Sequence, residues 1–174
     1  REEGALLDMA GKVRSGKDTL IVKPSQLFEA DAVLRVDSGG EFVSRGAYKL
    51  HDSLDKFAPD LRGRVAADIG ASTGGFTDLM LSRGAEKVYA VDVGRGLLHW
   101  KLRSDPRVIC LEGVNARTLS PEIIPEKIDV LTMDVSFISA AKLLSAADSV
   151  MKEGALAFLL VKPQFEAPRE DVPP

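Results

Sequence analysis

The sequence predicts an α/β protein built on a doubly wound parallel sheet, and three observations carry that prediction. Short apolar stretches alternate with helix-like stretches from Arg64 onward; the first of them, residues 65–69, runs directly into the glycine-rich turn 70–75; and Asp92 closes the next, twenty-two residues after Gly70. Strands this apolar, separated by helices, belong to a parallel sheet covered on both faces. A strand that enters a glycine-rich turn and then a helix docks a nucleoside cofactor at the carboxyl edge of such a sheet.

Taken in chain order, residues 1–38 carry short alternating pieces (19–22 and 32–36) after a helix-like start and read as a small α+β unit. Residues 39–62 read as a linker and a leading helix. Ser38, Gly39, Gly40 and Glu41 have linker composition, and over 44–57 Ala47, Leu50, Leu54 and Phe57 recur at helical spacing until Pro59 stops the helix. Residues 63–174 hold the alternating pattern. Strands are expected at 65–69, 88–92, 108–112, 128–134 and 155–161, helices at 75–83, 97–103 and 138–152, and a short turn near 120–124. A sheet of this class closes with two more strands, and thirteen residues follow Val161, so the pattern implies either a sheet continuing beyond Pro174 or a short one. Pro163, Pro168, Pro173 and Pro174 make the tail irregular.

The turn itself discriminates between cofactors. A dinucleotide turn needs a second glycine where the backbone approaches a pyrophosphate, and here that position is Ser72. A side chain is tolerable there when no diphosphate lies against the turn, as with S-adenosylmethionine, whose cationic sulfonium and amino-acid tail would also suit a carboxylate at Asp68. Asp92 is placed to accept from both ribose hydroxyls, a role shared by methyl-donor and dinucleotide sites. Asn115, after the third strand of the repeating pattern, suits either the adenine edge or the cap of a turn. The plainer alternative for the whole turn is a tight strand-to-helix connection with Asp68 capping the helix.

Composition narrows the remaining classes. The 174 residues form one domain with a small appendage, and their 45% hydrophobic content is that of a globular protein. The longest apolar run, from Ala155 to Val161, falls far short of the ~20 residues of a membrane span. The single cysteine, Cys110, reads as a small buried hydrophobe in a reducing, cytoplasmic compartment. No secretory signal is visible at the charged start Arg1, Glu2, Glu3. His51 and His99 lack metal-ligand spacing, so no metal is expected. A net charge of −3 excludes bulk attraction to nucleic acid and leaves only a local basic surface, for which Arg45, Lys49, Lys56, Arg62, Arg64, Arg95, Lys101, Arg103 and Arg107 are the candidates.

Three residues stand where this fold places its chemistry. Asp134 ends the strand at 128–134, Lys162 follows the strand at 155–161, and parallel strands present their carboxyl ends together, beside the cofactor turn. Lys49, on the leading helix, is placed to lean over that edge. A ribose 2′-hydroxyl is a poor nucleophile at neutral pH and needs a base or a positive field where charge develops; two lysines and an aspartate supply both. Lys162 is expected to contact the hydroxyl, with Lys49 and Asp134 setting its protonation and position. Each has a plainer reading, as a helix cap, a solvated strand end and a surface lysine.

Together these segments are familiar. Val43, Ser44, Arg45, Gly46, Ala47, Tyr48, Lys49 and Leu50, then residues 68–77, 134–139 and 161–166, resemble the TlyA (haemolysin-A) family of FtsJ-like ribosomal RNA 2′-O-methyltransferases, over nearly all of 42–166. Residues 1–38 are similar to the later part of the S-four-type RNA-binding domain that precedes the catalytic domain in that family. The resemblance implies a Rossmann-like class I methyltransferase fold and S-adenosylmethionine-dependent methylation of a cytidine ribose in rRNA. The donor would be held by Asp68, Gly70, Ser72, Gly74, Gly75, Phe76, Asp92, Asn115 and Asp134. It also implies a Lys, Asp, Lys, Glu tetrad whose first three members fall on Lys49, Asp134 and Lys162, with the glutamate beyond Pro174; Glu166 lies too near Lys162 to stand in for it. The partner implied is rRNA or a ribosomal subunit, with the oligomeric state open. The rival readings are a non-catalytic RNA-binding or ribosome-assembly factor that retains a donor pocket, a cytolysin, which the lack of membrane signals opposes, and an NAD-dependent enzyme, which Ser72 opposes.

Overall fold

The computed structural model describes residues 13–15, 19–20, 34–36, 42–57, 59–168 and 170. The chain divides into two compact units, Arg1–Glu41 and Phe42–Pro174. In the first, β1 (Val13–Ser15), β2 (Thr19–Leu20) and β3 (Leu34–Val36) form an antiparallel sheet in the order β2-β1-β3. Arg14 stands opposite both Leu20 and Arg35. The pieces expected at 19–22 and 32–36 thus include strands, whereas β1, three residues with one apolar side chain, carries no period that could announce it. The helix-like start and the linker at 38–41 lie outside the described residues.

The second unit begins with α1 (Ala47–Phe57) and continues β4 (Val65–Ile69), α2 (Gly75–Ser82), β5 (Lys87–Asp92), α3 (Trp100–Arg103) and β6 (Val108–Glu112). A 3₁₀ turn at Ala116–Thr118 leads to β7 (Ile128–Met133), and a second at Ala140–Leu143 leads into α4 (Leu144–Val150), β8 (Met151–Leu159) and α5 (Pro163–Glu166). The five strands β4–β8 form one sheet, all pairs parallel, in the order β6-β5-β4-β7-β8. This is the doubly wound parallel sheet expected from the sequence. The strand order reverses between β4 and β7, and a crevice opens outside the carboxyl ends of strands at such a reversal.

Period-two alternation gives each central strand two buried faces. Ala66, Val88, Ala90 and Val130 pack under Leu50 and Leu54 of α1, Leu79 and Met80 of α2 and Leu102 of α3. Ala67, Ile69, Tyr89, Val91, Leu131 and Met133 pack on the other side under Leu143, Ala147 and Val150. β8 differs: most of its residues are exposed or half-buried.

Where the structure departs from the expected elements, local hydrogen bonding gives the reason. The helix expected at 97–103 shrinks to α3, because Glu112 takes the Leu97 and Leu98 N–H groups and His99 caps the helix through Nδ1. The helix expected at 138–152 shortens to a 3₁₀ turn from Ala140 and then α4 (Leu144–Val150): Phe137, just before it, sits at φ 66°, and Glu166 takes the Ala140 N–H. The last strand starts at Met151, four residues early, and carries an irregularity between its Ile128 and Val130 pairings that encloses Gly154 at φ 73°. That irregularity lets Lys152 reach Asp129 at 2.7 Å. Arg64 meets the same carboxylate at 3.2 Å and the Val65 N–H donates to it at 3.0 Å, closing the amino edge of the sheet.

Candidate active site

At the carboxyl edge of β4, β5 and β7 lies a cleft of about 490 Å³. Val91, Val93, Leu97, Val114, Ile138 and Leu143 give it an apolar lining, and its polar groups come from Ser72, Asp92, Asn115, Asp134 and Ser136. The glycine-rich turn forms one wall. Gly70 has φ 81°, and a Cβ there would stand 2.6 Å from the Asp134 carbonyl oxygen, so only glycine lets the turn lie this close to the end of β7. Ser72 also adopts positive φ, 50°, and its N–H donates to Asp92 Oδ2 at 2.8 Å while the Gly94 N–H donates to Oδ1 at 2.8 Å. Each Asp92 oxygen keeps acceptor capacity toward the cleft. Asn115 caps the Ala116–Thr118 turn by accepting from the Arg117 N–H through Oδ1 at 3.0 Å, and it also lines the cleft. Capping the turn and bordering the cleft are thus compatible positions for one side chain.

Asp68 is somewhere other than the position expected for it. It is 1% exposed and lies beneath the turn, where Oδ2 accepts from the N–H and hydroxyl of Thr77 at 2.9 and 2.8 Å and Oδ1 from the Thr132 hydroxyl at 3.1 Å. Burial pushes its pKa up to about 6, against the lowering effect of those threonine bonds. Asp68 therefore anchors the start of α2 from inside the core, the plainer alternative, and does not line the cleft. Gly74, Gly75 and Phe76 likewise turn inward. Gly74 sits at φ 94° against Leu98 and Leu102, Phe76 is in the core, and a Cβ at Gly75 would meet the Ala47 backbone nitrogen at 2.9 Å. Gly75 thereby seats α1, which carries Lys49 to the cleft, on α2, and Gly74 lets Leu98 and Leu102 approach the turn.

Lys49, Asp134 and Lys162 do come together. Lys49 Nζ donates to Asp134 Oδ2 at 2.9 Å, and Lys162 Nζ lies 2.6 Å from Oδ1 while donating to the Ser136 hydroxyl at 2.9 Å. The Lys162 approach to Oδ1 is an ion pair outside hydrogen-bond angles, so that oxygen is otherwise unpartnered. The Asp134 and Lys162 side chains are 17% and 19% exposed, and Lys49 is 50% exposed. Burial raises the Asp134 pKa, but the two ammonium groups outweigh it and hold the carboxyl below its usual range. One carboxylate is thus gripped by two cations from elements far apart in sequence, beside an apolar cleft.

Several residues at the site were not singled out by the sequence reading. Phe137 is 93% exposed at the lip and packs on Phe165 with ring centroids 5.5 Å apart. Glu112 braces the loop that presents Leu97, accepting from the Gly96, Leu97 and Leu98 N–H groups and from Arg103. Its position at the end of β6, matching Asp92 at the end of β5, was the available clue. The basic surface contracts: Arg62, Arg64, Lys101, Arg103 and Arg107 pair with Asp60, Asp129, Asp78, Glu112 and Asp105. Among the described residues no ion pair closes on Arg45, Arg95 or Arg117, all exposed, and Arg117 borders the cleft. Among the described residues no helix is long and apolar enough to cross a membrane.

Comparison with known proteins gives the family of the chain. The chain is 48% identical over its whole length to the 16S/23S rRNA (cytidine-2′-O)-methyltransferase TlyA of Mycobacterium tuberculosis, of which it spans 65%. It is 43% identical over 76% of its length to Hemolysin A of Brachyspira hyodysenteriae, spanning 55% of that protein. A solved structure of a candidate hemolysin from Streptococcus thermophilus superposes with a TM-score of 0.75 at 39% identity, covering 99% of this chain and 64% of that one. The FtsJ-like methyltransferase family model matches residues 42–174, the whole second unit including α1 and Lys49, and the chain belongs to that family.

Proposed function

We propose that this cleft transfers a methyl group from S-adenosylmethionine to the 2′-hydroxyl of a cytidine ribose in rRNA. The observation that carries the reading is Asp134 held between the ammonium groups of Lys49 and Lys162 at the rim of a cleft walled by the Gly70–Ser72 turn. The donor fits the residues present. Apolar side chains suit an adenine, Asp92 retains lone pairs for ribose hydroxyls, and a turn with a serine at its middle position lacks the backbone opening a diphosphate needs. Gly70, Ser72, Asp92, Asn115 and Asp134 are the groups proposed to hold it; Asp68, Gly74, Gly75 and Phe76 support the turn from behind. When bound, S-adenosylmethionine supplies an electrophilic methyl group on a sulfonium that departs as a neutral thioether.

The chain's own groups do the rest. Lys162 contacts the hydroxyl and meets the negative charge that develops on its oxygen as the O–CH3 bond forms and the S–CH3 bond breaks, the hydroxyl proton passing to water. Asp134 and Ser136 fix the Lys162 ammonium in place, and Lys49 shares Asp134, so the carboxylate's charge is not directed at the reacting oxygen. Residues 1–38, with their three-stranded sheet, are proposed as part of an S-four-type RNA-binding domain, 39–62 as linker and leading helix, and 63–174 as the methyltransferase domain. A cytoplasmic location follows from an rRNA substrate. The name of the mycobacterial relative, 48% identical over all of this chain and 65% of its own length, supports this reading.

The test is methyl incorporation from labelled donor into rRNA, with the modified ribose mapped. Lys162→Ala and Lys49→Ala are expected to cut transfer at least a hundredfold while calorimetric donor affinity stays within about threefold of wild type. Lost donor affinity with unchanged turnover overturns the roles of both lysines. Tight RNA binding by wild type with no incorporation favours the assembly-factor reading instead.

A further inference from the structure

The two loops that carry Asp134 and Lys162 are joined by more than that ion pair. After β7 the chain runs through Asp134, Ser136, Phe137 and Ser139 to the second 3₁₀ turn; after β8 it runs from Lys162 through Pro163, which opens α5, to Phe165 and Glu166. Three residues of the second segment reach the first, in order. Lys162 meets Asp134 and Ser136, Phe165 meets Phe137, and Glu166 closes the far end, accepting from the Ser139 hydroxyl at 2.6 Å and the Ala140 N–H at 2.7 Å.

The middle of this arrangement needs holding. Phe137 sits at φ 66°, a left-handed conformation unfavourable for a bulky residue, and its 93% exposure leaves little packing to enforce it. Its neighbours are restrained from both sides: Ser136 by Lys162 upstream, Ser139 and Ala140 by Glu166 downstream. Because Ser136 is also a partner of Lys162, any relaxation of the loop shifts the ammonium that the proposed reaction relies on.

We propose that Glu166 is a positioning residue: through Ser139 and Ala140 it fixes the loop after β7, and through that loop the placement of Ser136 and Lys162 at the reacting hydroxyl. This rests on the methyltransferase function proposed for the cleft. The glutamate is not among the residues that line the cleft. A carboxylate serves because both of its contacts are donors, a hydroxyl and a backbone N–H. Exposure of Glu166 on the surface makes its removal compatible with folding.

Single-turnover methyl transfer to rRNA, donor calorimetry and thermal unfolding test it on wild type, Glu166→Ala, Glu166→Gln, Ser139→Ala and the Glu166→Ala/Ser139→Ala pair. Glu166→Ala is expected to slow the transfer step about ten- to hundredfold, the scale of an ångström-level misplacement, with donor Kd within threefold of wild type. Glu166→Gln retains an acceptor for Ala140 and is expected to recover most of the rate. Ser139→Ala slows transfer less, and the double variant matches Glu166→Ala alone, since both changes cut one connection. Glu166→Ala transferring at the wild-type rate, or the two changes multiplying, overturns the inference while leaving the function intact. Wild type that moves no methyl group overturns both.

Discussion

Asp68 shows how a single buried side chain can shape the behaviour of the protein with pH. Its folded pKa is pushed up to about 6 by burial, from an ordinary value of 3.8. Between those values the folded chain holds more protons than the unfolded one, so unfolding free energy falls as pH rises from about 4 to about 6, by about 3 kcal/mol over the full window. Urea unfolding at pH 4 and pH 7 checks this. Wild type is expected to lose stability relative to Asp68→Asn across that interval, because asparagine does not titrate. The turn itself was legible from glycine spacing, since Gly70 and its neighbours are required by backbone geometry alone. The direction of the Asp68 carboxylate was not, because it depends on Thr132, sixty-four residues away, whose approach is known only once β7 lies beside β4. Asp92, by contrast, was readable because a strand-end position suffices to place it.

At the scale of elements, the central strands were legible because two buried faces leave a mostly apolar run; β4 coincides with its expected bounds, as does the edge strand β6. The connections were less so. Apolar spacing at 97–103 and 138–152 suits helices, yet in both stretches a carboxylate from elsewhere claims backbone N–H groups, Glu112 in the first and Glu166 in the second. Glu112 is held down to about 2 by Arg103, with the N–H groups of Gly96, Leu98 and Leu97 adding to the effect against its own burial. Glu112→Ala leaves three backbone donors and Arg103 without this acceptor and frees the segment bearing Leu97. It is expected to raise donor Kd about tenfold and to lower stability by about 2 kcal/mol, read by calorimetry and urea unfolding respectively. Unchanged donor affinity in that variant excludes the Leu97 loop from the donor site.

Considered as a whole, the second unit has chemically unlike ends. Its carboxyl edge gathers Asp92, Asn115, Asp134, Lys49 and Lys162, while its amino edge is closed by Asp129 with Arg64 and Lys152. This polarity was readable in outline, since parallel strands must present like ends together; the Asp129 cluster was not, because Lys152 reaches it only through the irregular start of β8. Breaking a fully buried ion pair costs about 3–5 kcal/mol, but the Arg64 and Lys152 side chains are about half exposed and regain water when released. Asp129→Ala is accordingly expected to cost about 2 kcal/mol in urea unfolding while leaving donor Kd and the transfer rate at wild-type values. A parallel sheet thereby separates two kinds of engineering. Substitutions sought for heat tolerance belong around Asp129, where they can be screened without an activity assay, and those sought for altered nucleotide choice belong across the strands' opposite termini, where a gain in one property need not be traded for the other.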